Sequence, residues 1–163
     1  MVLTATAIWR IAVFLKAALI RILPSRAAYN RRRYLMTKSE LAFYQALVKA
    51  CHGKYLIHSK VRIADVLSPL AMKNKKKWWR LFTQISSKHV DFVLCDPRDM
   101  SILYCIELDD RSHRRPERRK RDEFVNKAFA GTGLPLLRVP TTANYRTDDL
   151  IELIQLHAHE IAF

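Results

Sequence analysis

Two apolar stretches rich in β-branched residues, Val90–Asp96 and Ser101–Asp110, flank a short segment in which Asp96, Pro97 and Asp99 favour a turn. The pattern predicts a β-hairpin, and it constrains the chain more than any other feature because acidic residues sit inside its strands. With the turn centred near Pro97 and Arg98, antiparallel pairing sets Asp91 opposite residues 104–106 and makes Glu107 its diagonal neighbour. Strand alternation then places Asp91, Val93 and Cys95 on one face with Leu103, Cys105, Glu107 and Asp109 of the partner strand. Phe92, Leu94, Ile106 and Leu108 go to the other face. Three carboxylates, Asp91, Glu107 and Asp109, thus gather at the open end of one face.

Like charges held so close repel and are costly to desolvate, so something cationic must offset them. One reading is a divalent cation: an oxygen-only donor set without His or Cys spacing suits Mg²⁺ or Mn²⁺. The other is neutralisation by Arg111, Arg114, Arg115, Arg118 and Arg119, which follow closely in sequence. Carboxylates inside a strand pair are an unusual choice for stability alone.

The rest of the chain is strongly basic. Lys and Arg number 29 against 15 Asp and Glu, for a formal net charge of +14 over 163 residues. A field of that sign attracts nucleic acid phosphates or an anionic membrane leaflet. The excess is concentrated in Arg10–Lys38, Lys54–Lys88 and Arg111–Arg121. Half the residues are hydrophobic, enough for one domain with a single core and a terminal appendage. Cys51, Cys95 and Cys105 are odd in number and form no CxxC, which argues against a disulfide framework or a zinc ribbon and for an intracellular chain.

Leu3–Leu23 is apolar but interrupted by Arg10, Lys16 and Arg21, and a charge near the centre of a span costs about 3 kcal/mol. A helix lying on a membrane surface fits best, with Trp9, Phe14, Leu15 and Ile22 in the interface; a soluble helix packed on the domain fits next, and a true span least. Residues 1–24 are therefore read as an apolar, basic helix and possible anchor, 25–34 as a basic linker, and 35–163 as the domain proper. The expected location is the cytoplasm, at the inner face of the membrane if the helix binds it.

Thr37–Cys51 has the spacing of a half-buried helix, and Thr37-x-x-Glu40 matches a capping box. Tyr55–Leu67 reads as a strand. Between Ser68 and Lys88, Lys75, Lys76, Lys77 and Arg80 surround Trp78 and Trp79, a mixture that suits either a phosphate-binding and base-stacking surface or a surface loop whose tryptophans pack inward. Pro116–Gly131 reads as a helix whose first turns carry Arg118, Arg119, Lys120 and Arg121. These cations oppose the helix dipole, as a surface meeting a polyanion would. Leu134–Val139 reads as a strand, and Asp148–Phe163 as a last helix.

The order helix, strand, hairpin carrying D…E-x-D, helix, strand resembles the PD-(D/E)XK nuclease core. The carrying residues are Asp91 in His89-Val90-Asp91-Phe92-Val93, then Ile106-Glu107-Leu108-Asp109-Asp110-Arg111-Ser112-His113, Arg121-Asp122 and Gly133-Leu134-Pro135-Leu136-Leu137-Arg138. Over about Leu35–Val139 this run is similar to the family known as domain of unknown function 2726, itself similar to endonucleases of the very-short-patch-repair type. The resemblance implies an α/β fold with a small mixed sheet in α-β-β-β-α-β order flanked by helices, with an extra helix at each end. It further implies that Asp91 and Glu107 hold a metal, that Glu40 is the first-helix carboxylate, and that Asp109 and His113 belong to the same site. Asp109 stands where the wider superfamily has its lysine, which leaves His113, Lys88 or Lys120 to fill that role.

Two functions follow as expectations. One is a Mg²⁺-dependent endonuclease acting on DNA more readily than RNA, with Lys75, Lys76, Lys77, Trp78, Trp79, Lys88, Arg114, Arg118, Arg119 and Lys120 meeting the nucleic acid. The other is an inactive nucleic-acid-binding module, tethered to a membrane by residues 3–23.

Overall fold

In the computed structural model, residues 7, 9, 10, 12–15, 28–109 and 116–158 are described, the side chains of 116–119 and 158 excepted. The chain divides into two compact units, Met1–Leu35 and Met36–Phe163. In the first, residues 7, 9, 10 and 12–15 are helical, with Trp9, Val13, Phe14 and Leu15 exposed. Lys16, Arg21 and Ile22, invoked above for a surface helix, lie outside the described residues. Among the described residues no helix is long and apolar enough to cross a membrane.

The second unit begins with helix α1 (Lys38–Cys51), opened by the full capping box: Thr37 Oγ1 accepts from the Glu40 amide and Glu40 accepts from the Thr37 amide. Strand β1 (Leu56–Arg62) follows, then one helical turn, α2 (Ile63–Val66). The expected strand Tyr55–Leu67 is therefore cut short at Arg62, because Ile63 swings its side chain into the core and its amide donates to the Lys88 carbonyl. Helix α3 (Lys75–Ser86), capped by Asn74, occupies much of the basic aromatic segment. Strands β2 (His89–Cys95) and β3 (Ile102–Asp109) form the hairpin. Helix α4 (Pro116–Phe129), strand β4 (Leu136–Pro140) and helix α5 (Thr147–Ala158) complete the unit.

The sheet has the order β1-β2-β3-β4, with the first two pairings antiparallel and β3–β4 parallel. A parallel pair needs a crossover, and α4 supplies it. The fold is thus mixed α/β, a four-stranded mixed sheet flanked by helices. On one face Phe43 and Leu47 of α1 and Leu150 and Ile154 of α5 pack on Phe92, Leu94, Tyr104, Ile106, Leu137 and Val139. On the other, Val125 and Phe129 of α4 and Ile85 of α3 pack on Val93, Cys95 and Cys105. All three cysteines are buried thiols, and burial pushes Cys105 up to about 12.

Two details of register position the site. Next to the turn Cys95 pairs with Ile102, but a bulge at Leu94/Cys95 advances β3 so that Leu94 pairs with Tyr104 and Phe92 with Ile106. Leu103 is the extra residue, and it packs with the α1 face, not with Cys105 as strict alternation predicts. Carried one residue further, the register sets Asp91 opposite Glu107, a closer placement than the diagonal one expected. The second detail is in β1, where the ladder to β2 joins Ser59 to Phe92 and Val61 to Val90 but not Lys60 to Asp91 between them. Lys60 adopts φ 57°, the left-handed region. Alternation is reset there: Phe92 faces α1, yet Val90 and Val61 both join the α4 face.

Candidate functional site

The sheet opens at the Lys60/Asp91 step into a cleft of about 780 Å³. Its lining comes from α1 (Glu40), β1 (Lys60), β2 (His89, Asp91), β3 (Glu107, Asp109), α4 (Arg121, Asp122, Asn126) and β4 (Arg138). Both sheet faces contribute, because the broken ladder lets a side chain from α1 meet those beneath α4.

Glu107 is the most buried charged group described, at 3 % exposure. Burial pushes its carboxyl up to about 7, with Asp91 adding in the same direction against the lowering influence of Arg121 and Arg138. Its cationic contact is long: Arg121 Nη2 lies 3.4 Å from Oε1 and also donates to the His89 carbonyl at 3.2 Å. Asp91 sits across from it, with Oδ2 accepting the Leu108 amide at 3.0 Å and Oδ1 meeting Lys60 Nζ at 3.3 Å.

Lys60 Nζ also contacts Glu40 Oε1 at 2.5 Å, so one ammonium bridges two carboxylates. Burial works against its charge, but Glu40 and Asp91 outweigh that and hold it above the ordinary lysine range. For Glu40, burial is likewise overcome, by Lys60 and the Thr37 amide, and its carboxyl lies below the usual range. Cap and site roles coexist in Glu40, one oxygen serving each.

Asp109 is drawn aside. Arg138 Nη1 binds its Oδ1 at 2.7 Å and also lies 3.5 Å from Asp122. The arginines described as offsetting the acids are therefore Arg121 and Arg138. Arg111, Arg114, Arg115 and His113 lie outside the described residues, as do the side chains of Arg118 and Arg119. Among the described residues no group of three or more His, Cys, Asp or Glu is arranged to hold a metal ion.

The other expected residues scatter. Lys88 lines the cleft, yet its Nζ donates to the Gln84 carbonyl at 2.5 Å and lies over the Phe124 ring. Lys120 is exposed and outside the cleft lining. Lys75, Lys76 and Lys77 are exposed in the first turn of α3. Trp78 packs inward, stacked on Phe82 with its indole N–H donating to the Pro69 carbonyl, while Trp79 is 60 % exposed.

Lys60 and Arg138 were missed as site residues by the sequence reading. Arg138 left a signal, the one charge in Leu136-Leu137-Arg138-Val139, and the parallel register sets it beside Glu107. Lys60 left none, since β1 and β2 are joined by a long segment that fixes no register.

Residues 32–157 match the family described as "Protein of unknown function (DUF2726)". The chain belongs to that family. No curated protein matches this DUF2726 chain, and no solved structure does. The matched residues include the helix–sheet unit that builds the cleft, and the family description assigns it no chemistry.

Proposed function

We propose that this chain is a metal-dependent phosphodiesterase that cuts nucleic acid, DNA in preference to RNA, on a core of the PD-(D/E)XK type. Glu107 carries the reading: a buried carboxylate opposite a second one, Asp91, whose cationic partner among the described residues is Arg121 at a long 3.4 Å, in a chain of net charge +14. Groups so perturbed inside a cleft are a mark of functional sites. The donor set fits Mg²⁺ or Mn²⁺, which takes one or two carboxylates and keeps waters; Asp91 and Glu107 would hold it. When bound, the ion would supply Lewis acidity to the scissile phosphate and to the attacking water.

Lys60 takes the place of the lysine that Asp109 replaces. An ammonium has three N–H donors; among the described residues Glu40 and Asp91 take two, and the third would serve a phosphate oxygen as charge builds on it. Glu40 positions Lys60. Arg121 and Arg138 add positive field along the cleft wall.

A second reading keeps nucleic acid binding and drops cleavage, and the Asp109–Arg138 pair favours it, because it commits the last acid of D…E-x-D to an arginine. In either case the exposed Trp9, Phe14 and Leu15 beside Arg10 support attachment of residues 3–23 to an anionic membrane. The deciding experiment incubates the protein with single- and double-stranded DNA and RNA in Mg²⁺ or Mn²⁺, beside an Asp91→Ala/Glu107→Ala double variant. Cleavage lost in the variant supports the enzyme; binding without cleavage sinks it. Deleting residues 1–24 and following membrane fractionation tests the tether, which fails if the full chain stays in the soluble fraction.

A further inference from the structure

Helix α3 divides sharply by face. Trp78, Leu81, Phe82 and Ile85 turn toward the domain, while Lys76, Trp79, Arg80 and Thr83 turn outward, flanked by Lys75 and Lys77. No acidic residue occurs between Asp65 and Asp91, so nothing on this helix offsets those cations. Three lysines in the first turn also oppose the helix dipole, which costs stability unless an anion meets them.

Trp79 is held, not loose. Its ring meets Trp78 and Phe82 edge-on, with centroids 5.2 and 5.6 Å away, and it remains 60 % exposed. A large, rigid ring on a basic surface is a stacking platform that loses little freedom when a base covers it. The helix is about 18 Å long, and its C-terminal end runs straight into Ser87, Lys88 and His89, which wall the cleft. At about 3.4 Å per stacked nucleotide, that length is about five nucleotides.

We propose that the outward face of α3 is the docking track for a nucleic acid strand, and that Trp79 stacks on an unpaired base within about five nucleotides of the cleft. The substrate class is thereby a single-stranded, frayed or mismatched segment, not a fully paired duplex, whose bases are already stacked on one another. This rests on the reading that the cleft handles nucleic acid but does not require that it cut.

The test measures binding in the presence of a chelator, so that no strand is cleaved and a failure of the nuclease reading leaves the result untouched. The full chain is titrated with labelled oligothymidylate, with its blunt duplex with oligoadenylate, and with phosphatidylglycerol vesicles, as wild type, Trp79→Ala, Trp79→Phe and a Lys75→Ala/Lys76→Ala/Lys77→Ala variant. Trp79→Ala is expected to weaken oligothymidylate binding roughly ten- to a hundredfold. Duplex and vesicle binding stay unchanged, and Trp79→Phe recovers most of the loss. The lysine variant is expected to reduce the salt slope of single-strand binding by about two. The proposal is overturned if Trp79→Ala leaves single-strand affinity unchanged, weakens duplex binding as much, or weakens vesicle binding instead.

Discussion

Lys60 and Asp91 stand opposite each other on antiparallel strands at the step where the ladder between them lapses, and their side chains meet at 3.3 Å. The lysine holds a left-handed backbone, φ 57°, that a side chain with a Cβ adopts at a cost of about 1–2 kcal/mol. Strain of this kind persists where the surroundings enforce it, and functional sites are where it collects.

If Lys60 is kept in that conformation for its ammonium, stability and activity should separate on replacing it. Lys60→Gly is expected to unfold at higher urea than Lys60→Ala, by about 1 kcal/mol, because glycine carries no left-handed penalty. Both variants, and Lys60→Met, should lose cleavage by about 100- to 1000-fold. Denaturation curves and single-turnover rates check the two halves; a Lys60→Gly protein with wild-type cleavage would remove Lys60 from the chemistry.

Glu107 sets a pH dependence whose sign can be worked out. Its carboxyl lies near 4.5 when unfolded and about 7 when folded, so between those values the folded chain binds more protons than the unfolded one. Stability that is present below pH 4.5 is therefore lost as pH rises through 7. At about 1.4 kcal/mol per pH unit, the whole effect is about 3 kcal/mol. Glu107→Gln cannot ionise, so it should match wild type at pH 4.5 and exceed it by up to that amount at pH 8 in urea unfolding. Parallel pH profiles for the two proteins would count against a buried, weakly paired carboxylate.

The hairpin was legible because turn chemistry and alternation are local: Asp96 and Asp99 shape the turn through the Arg98 and Ser101 amides, as their residue types suggest. The short reach of β1 and the bulge at Leu94/Cys95 were not. Both arise from packing, Ile63 filling the core beneath α4 and Leu103 that beneath α1, and neither leaves a periodic trace. The same limit hid Lys60, whose pairing with Asp91 depends on a register between strands distant in sequence. Asp91 and Glu107 were found because the hairpin itself brings them together.

Placing a lysine at position 109, where the proposed PD-(D/E)XK reading expects one, tests whether Lys60 fills that role. Asp109 is bound to Arg138 at 2.7 Å and is 45 % exposed at its side chain, so the ion pair contributes modestly. Asp109→Lys would set a second cation against Arg138 and is expected to destabilise the fold by about 1 kcal/mol without raising cleavage. In a Lys60→Met background it should rescue nothing, since the side chain of residue 109 meets Arg138, itself 3.5 Å from Asp122, whereas Lys60 meets Asp91. Recovered activity in the double variant would return the role to residue 109.

Divalent cation binding should be visible in the folding equilibrium itself, without any substrate. An ion held by Asp91 and Glu107 binds the folded chain alone, and a cation at 100 times its dissociation constant adds about 2.7 kcal/mol. Thermal unfolding in Mn²⁺ is therefore expected to shift upward by several degrees for wild type and not for Asp91→Ala/Glu107→Ala. The shift should grow from pH 6 to pH 8, because Glu107 must give up its proton before it can bind a metal. A shift of equal size in the double variant would place the ion elsewhere. A shift that shrinks as pH rises would show that the proton on Glu107 does not compete with the metal.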